Sequence, residues 1–260
     1  MENAQKFMDK IARGHVCLGT GITFTDPTVT EAVCSFLDFV WIDMEHNALS
    51  LETVQSHIMA TKGSDSAPLV RVPWNDPVLI KPVLDIGAAG VIVPMVRTGE
   101  EARRAVEACR YPPEGIRGIG PRRPYYGQID FREFWKKANE TLLTILQIEH
   151  IDAVNNLDQI LTVPGVSSLV LGPMDLSASM GHTGEPQHSD VLRAIDTIVS
   201  KARLAGIPVG VGSSAEPQTL AKWVEKGVHW LQMGNDYSLM LTALQQTSNN
   251  VRKAIQAVRS

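Results

Sequence analysis

Apolar runs of strand length alternate along this chain with segments of helix length, and the alternation continues from one end to the other. The strand-like runs fall at 15–24, 39–45, 68–73, 90–96, 142–149, 168–175, 208–212 and 230–234. Several, including VIVPMV, SLVLG and PVGVG, are almost unbroken in hydrophobicity, as parallel strands covered on both faces are. Between them, helices are expected over 31–37, 51–61, 78–86, 100–109, 153–161, 191–204, 217–226 and 237–258, and the polar stretch 1–14 also reads as a helix. Eight strands, each followed by a helix, predict an α/β fold of the (β/α)8 TIM-barrel type. A doubly wound open sheet is the competitor, but the glycine-rich fingerprint it needs after its first strand is missing. No low-complexity linker interrupts the pattern, so residues 1–260 are expected to form a single barrel domain. One long irregular stretch, 111–137, separates strands four and five. The last helix, at roughly six turns, is long enough to reach a neighbouring subunit.

Composition narrows the function classes. The 260 residues are 44% hydrophobic and 20% charged, enough apolar material for a sizeable core. A formal net charge of −4 offers no footprint for nucleic acid. The pairs Arg103-Arg104, Arg122-Arg123 and Lys136-Lys137 read as solvated surface. Cys17, Cys34 and Cys109 are odd in number and widely spaced, so they form neither a disulfide framework nor a Cys-x-x-Cys metal pattern. Reduced thiols, the lack of an apolar leader and the lack of any apolar run near the roughly 18 residues of a membrane span all point to a cytoplasmic location.

In a barrel of this type the active site is built where the strands end, so polar residues at those positions are the candidates. Strand two ends WIDMEH, with Asp43, Glu45 and His46, and strand three ends VRVP, with Arg71. Strand five ends LQIEH, with Gln147, Glu149 and His150, and strand six ends LGPMD, with Asp175. Glu149 and Asp175 would end neighbouring strands about 4.8 Å apart and could share one hard divalent cation. The simpler role for either is to sit at the N-terminus of the following helix. Arg71 could grip a carboxylate with its guanidinium fork, or form a salt bridge with Asp43 or Glu45. His46 could be a base whose tautomer two adjacent carboxylates hold, or a structural histidine. Every lysine falls on a predicted helix, loop or terminus, which excludes an imine; an enolate made here needs a metal. The GVGSS segment after strand seven serves either as a phosphate cradle or as a tight turn.

Six blocks in order, WIDMEHN, VRVPWND, GAAGVIVPMV, CRYPPEGIRGIGPRR, QIEHIDAVNNLDQIL and LGPMDLSASMGHTGEP, resemble the HpcH/HpaI family of class II pyruvate aldolases over nearly the whole chain. The resemblance implies a barrel of the phosphoenolpyruvate/pyruvate group that assembles as a hexamer by exchanging its last helix. It implies that Glu149 and Asp175 bind Mg²⁺, Mn²⁺ or Co²⁺, that Arg71 binds pyruvate and stabilises its enolate, and that His46 transfers protons. Gln147 would face the substrate, and the backbone of Gly172, Pro173 and Met174 would line the pyruvate pocket. Asp43 and Asp85 match acidic residues near the histidine and the aldehyde site. The chain departs from the family at GPRRPYYGQIDF, where Arg123, Tyr125 and Tyr126 would enlarge or polarise the entrance, and at the tip of the first strand, which carries no aromatic.

The activity so implied is reversible cleavage of a 4-hydroxy-2-oxoacid to pyruvate and an aldehyde. Decarboxylation of oxaloacetate would use the same enolate without an acceptor. A binding protein that kept the fold and lost catalysis would lack at least one of Glu149, Asp175, Arg71 and His46, and all four are present.

Overall fold

Strands of this hydrophobicity are stable only when both faces are covered, and closing the sheet on itself covers one of them and removes its edges. The computed structural model describes residues 2–120 and 130–259 and shows this closure. The strands are β1 (Cys17–Ile22), β2 (Phe39–Asp43), β3 (Ala67–Arg71), β4 (Gly90–Val93), β5 (Leu143–Ile148), β6 (Ser168–Leu171), β7 (Val209–Ser213) and β8 (Trp230–Asn235). They pair in parallel in sequence order, and β8 returns to β1 through a ladder whose register shifts between Gly19 and Gly21. All eight predicted strands are present, most of them shorter than the apolar runs that announced them.

The helices are α1 (Glu2–Ala12), α2 (Pro27–Val33), α3 (Leu51–Ala60), α4 (Pro77–Asp85), α5 (Gly99–Cys109), α6 (Phe131–Thr141), α7 (Ile151–Asn155), α8 (Leu157–Leu161), α9 (Pro173–Ser179), α10 (Ser189–Leu204), α11 (Pro217–Glu225) and α12 (Asp236–Arg259). Several begin earlier than their apolar periodicity suggested, because a capping residue sets the start. Asp26 and Asp76 each accept a backbone N–H and precede a proline at the first helical position, as does Glu216 before α11, which starts where expected. Two helices depart from the sequence reading. α6 occupies part of the stretch expected to be irregular, capped by Asp130. α9 begins where strand six was expected to continue, because Pro173 cannot donate to a ladder.

The two-residue period of the strands sorts their side chains into two layers. Val40, Ile42, Val70, Val91, Leu146 and Ile148 point outward and pack under the helices. Phe39, Trp41, Leu69, Ile145 and Trp230 point inward and fill the barrel floor, over which α1 lays Ala4, Phe7 and Ile11. Phe7, Phe39 and Trp230 meet edge to face at centroid distances of 5.2 to 6.0 Å. Glycines make room for them. A Cβ at Gly19 would stand 2.5 Å from the Phe39 ring, and one at Gly210 would overlap the Trp230 indole. The Trp230 N–H donates to Ser168 Oγ at 3.0 Å, so no polar atom of the indole is stranded.

Candidate active site

The inward positions that are aromatic or aliphatic at the floor become polar as the same strands rise. Phe39 and Trp41 lead to Asp43, Ala67 and Leu69 to Arg71, and Leu143 and Ile145 to Gln147 and Glu149. The floor excludes water and the rim holds the chemistry.

The β2–β3 register places Asp43 directly opposite Arg71. The guanidinium is consequently clamped: Nε donates to Asp43 Oδ1 at 2.8 Å and Nη2 to Asp43 Oδ2 at 2.8 Å. Nη1 stands 3.0 Å from Glu45 Oε2, and the Arg71 guanidinium carbon lies 5.2 Å from the centre of the Trp41 ring. Asn47 Nδ2 donates to Asp43 Oδ2 at 2.7 Å. Arg71 thus forms the salt bridge with both carboxylates, at the mouth of the barrel where the sequence put it. Burial pushes the Glu45 carboxyl up to about 6 despite the Arg71 charge that opposes the shift, with Glu149 adding to the rise.

His46 is placed differently from the expectation. Its side chain is 63% exposed, and Nε2 is 3.7 Å from Glu45 Oε2, beyond hydrogen-bond reach. Asp43 is committed to Arg71, so no pair of carboxylates fixes the imidazole. His150 serves as a cap: its Nδ1 accepts the Asp152 N–H at 3.1 Å at the start of α7, and it is not among the residues lining the cavity.

Glu149 is buried, and each of its oxygens is held. Oε1 accepts the Met95 N–H at 2.8 Å, and Oε2 accepts the Gln147 amide in a short hydrogen bond. Met95 reaches this position with φ of +56°, the left-handed region that a non-glycine residue enters at a cost. Burial holds the Glu149 carboxyl above its ordinary value, against the two hydrogen bonds; Asp175 raises it further. Gly172 is in contact with this carboxylate, since a Cβ there would stand 2.7 Å from Glu149 Oε2. Asp175 is exposed on the first turn of α9, the helix-start position weighed for it beside metal binding. Gln147 Oε1 is buried without a hydrogen-bond partner, and so is Glu45 Oε2, whose approach to Arg71 lacks hydrogen-bond alignment. Buried polar atoms are normally paired. An orphaned amide oxygen beside an all-oxygen set of Glu149 and Asp175 fits a hard divalent cation.

Asp43, His46, Arg71, Gln147 and the Gly172–Pro173–Met174–Asp175 turn line a cavity of about 510 Å³, and the buried Glu149 lies against Gln147 and Gly172 of that lining. Its far wall is neutral and polar, with Thr23, Ser213, Ser214, Gln232, Asn235 and Tyr237. Among the described residues, no lysine lines it. The GVGSS segment contributes Gly212, Ser213 and Ser214 to that wall. Sequence reasoning missed Trp41, Asn47, Met95 and the β8 residues. Inward alternation would have found Trp41, whereas the Met95 contact runs through a main-chain N–H that no side-chain pattern reveals.

Asp85 is not brought to this cavity by its own chain. α4 runs back from the rim, so its last residue returns toward the strand starts, where Asp85 accepts from Arg117 Nη2 at 2.7 Å. Tyr111 and Asn139, which lie before and after the segment that departs from the family pattern, exchange two hydrogen bonds, of 2.8 and 3.1 Å, just before β5 begins. Arg123, Tyr125 and Tyr126 themselves lie outside the described residues.

Charged groups gathered at the strand-end rim above a packed, mainly apolar floor define a (β/α)8 enzyme, with its chemistry in the loops and the ends of several strands. Residues 24–243 match the HpcH/HpaI aldolase/citrate lyase family. The 5-keto-4-deoxy-D-glucarate aldolase of Escherichia coli is 36% identical over 251 residues, 95% of this chain and 97% of that protein. An HpcH/HpaI aldolase/citrate lyase family protein of Burkholderia cenocepacia superposes with a TM-score of 0.89 at 30% identity, covering 96% of this chain and 99% of that one. The citrate synthase SbnG superposes with a TM-score of 0.85 at 28% identity, over 95% of this chain and 97% of that one. The chain belongs to the HpcH/HpaI aldolase/citrate lyase family. It is a carbon–carbon lyase of the aldolase type.

Proposed function

We propose that this lyase cleaves a 4-hydroxy-2-oxoacid reversibly to pyruvate and an aldehyde, and that it depends on a divalent cation, Mg²⁺, Mn²⁺ or Co²⁺. The observation that carries the reading is Gln147, which lines the same cavity as Arg71, has an orphaned amide oxygen and is bonded to the buried Glu149. Glu149 and Asp175 would hold the cation, with Gln147 directed at what binds beside it. When bound, the cation supplies a Lewis acid that polarises the keto group and holds the negative charge of the pyruvate enolate.

The chain's own residues do the rest. Arg71, held rigid by Asp43, presents positive charge to the oxygen on which charge develops. Asp43 thereby acts through the arginine. The Gly172–Pro173–Met174 turn shapes the pyruvate end, and Gly172, having no Cβ, leaves room for the Glu149 carboxylate packed against it. In cleavage the proton of the C4 hydroxyl passes to a base, the C3–C4 bond breaks and its electrons form the enolate, which is then protonated at C3. His46, exposed at the rim and lining the cavity, is the group assigned to that proton transfer. Asp85 is given no part in the cavity of its own chain. The working unit is a single barrel domain assembled into a homo-oligomer, a hexamer, through α12.

The test is exchange of the pyruvate methyl protons in D₂O, followed by NMR with Mg²⁺ or Mn²⁺ and again with excess chelator. Exchange that needs both protein and cation is the expected result. Absence of exchange with every divalent cation, in folded protein, would overturn the pyruvate assignment.

A further inference from the structure

Between α9 and α10 lies a second group of metal-ligating side chains, which the aldolase reading does not use. The loop is wound by successive backbone bonds: His182 N–H to Ser177 at 2.8 Å, Glu185 N–H to His182 at 2.9 Å, and His188 N–H to Glu185 at 2.9 Å. Winding brings His182 and His188 face to face, with ring centroids 3.5 Å apart and planes inclined by 16°. Asp190, in the first turn of α10, turns Oδ2 toward both. It lies 3.5 Å from His182 Nε2 and 3.9 Å from His188 Nδ1. Ligand atoms of all three residues fall within 4.8 Å of one another, and the three are half-buried.

These separations are too long for hydrogen bonds. They are close to the edge of a coordination tetrahedron, roughly 3.4 Å for bonds of about 2.0–2.1 Å. Helix capping explains only part of the arrangement. The His188 Nδ1 accepts the Asp190 N–H at 3.3 Å, at the long end for a cap, and capping gives no reason for His182 to be stacked there with its Nε2 toward Asp190. Arg193 binds the other Asp190 oxygen and leaves Oδ2 open.

We propose that His182, His188 and Asp190 form a second metal site, selective for a borderline transition-metal ion such as Zn²⁺, Co²⁺ or Ni²⁺. Two imidazoles and one carboxylate suit such ions, whereas Mg²⁺ prefers an all-oxygen set. Three protein ligands leave a fourth position for water. Binding would require the two stacked rings to tilt apart and His188 Nδ1 to exchange the Asp190 N–H for the ion, because its one lone pair cannot serve both. Binding here joins the end of α9 to the start of α10 and so steadies the helix that carries Asp175. The proposal stands independently of the aldolase reading.

The test is a titration of chelator-stripped protein with Co²⁺, read by visible absorption and by equilibrium stoichiometry, then repeated with Mg²⁺ as competitor. The wild-type chain should bind one equivalent that millimolar Mg²⁺ does not displace, with the intense absorption of a four-coordinate ion. His182→Gln and Asp190→Asn should each weaken that equivalent at least tenfold and leave Mg²⁺ binding unchanged. Glu149→Gln should leave it intact. Should the His182 variant fail to fold, His188→Gln carries the same expectation. Loss of the Mg²⁺-resistant equivalent in Glu149→Gln, or its persistence in both His182→Gln and His188→Gln, would overturn the proposal. A failure of the oxygen site alone would show instead as loss of Mg²⁺ binding in the wild type.

Discussion

At the scale of single residues, the rim is governed by contacts too close to tolerate an extra atom. Gly172 touches Glu149 so tightly that a methyl group must push the carboxylate aside. Overpacking of this kind costs about 1–3 kcal/mol. Gly172→Ala should therefore lower kcat/KM at least tenfold, with only a modest fall in the denaturant midpoint; unchanged kinetics would mean that Glu149 needs no exact placement. His57 supplies a second case. It is fully buried between Thr30 Oγ1 at 2.8 Å and the Phe24 carbonyl at 3.0 Å, and burial holds its pKa below the ordinary 6.5. Below pH 6.5 the unfolded chain takes up a proton that the folded chain resists, so stability must fall as pH drops through that value. Replacing His57 with Gln should flatten the stability profile between pH 7 and the depressed folded pKa, as read from urea midpoints. A slope identical to the wild type would locate the acid sensitivity elsewhere.

At the scale of elements, the barrel is made stable from below. α1 is the plug of the floor, and Phe7 is its anchor, 1% exposed against Phe39 and Trp230. Removing a buried aromatic of this kind costs about 3–5 kcal/mol. Phe7→Ala should lower the unfolding free energy by that amount and leave KM nearly untouched, because the cavity opens at the other end. A large KM effect would show that floor and rim are coupled. The strands were legible because eight apolar runs of strand length recur in alternation with segments of helix length. α6 and α9 were less so: the first lies in a stretch rich in charge, and the second follows β6 with no polar break to mark where the strand ends.

At the scale of the whole molecule, α12 is the element left without a full partner. Its 24 residues span roughly 36 Å at the rise of an α-helix, and from Leu239 to Arg259 every one is exposed. Leu241, Leu244, Val251, Ile255 and Val258 lie along one stripe, which is what a helix buried against another surface shows. Sedimentation equilibrium should return a multiple of the single-chain mass, and a chain ending at Gln245 should sediment as a monomer or as a smaller assembly. Full retention of the assembly after that truncation would assign the interface to another face. Among the described residues no helix is long and apolar enough to cross a membrane.

What the linear chain determined by itself was the class of fold and the identity of the rim. Parallel strands buried on both faces carry a pattern that survives without any knowledge of neighbours, and of the residues at their ends Asp43, Arg71 and Gln147 line one cavity, with Glu149 buried against Gln147. Only the tertiary structure decided how those residues spend their bonds. Strand register set Asp43 against Arg71 and so freed His46 from both carboxylates. The reversal of α4 carried Asp85 to the opposite end of the barrel from the cavity, although its sequence block belongs with the site. A left-handed turn at Met95 aimed a main-chain N–H at Glu149. Each depends on which atoms lie side by side after the chain has turned back on itself, and a local pattern of apolar and polar positions contains no record of that.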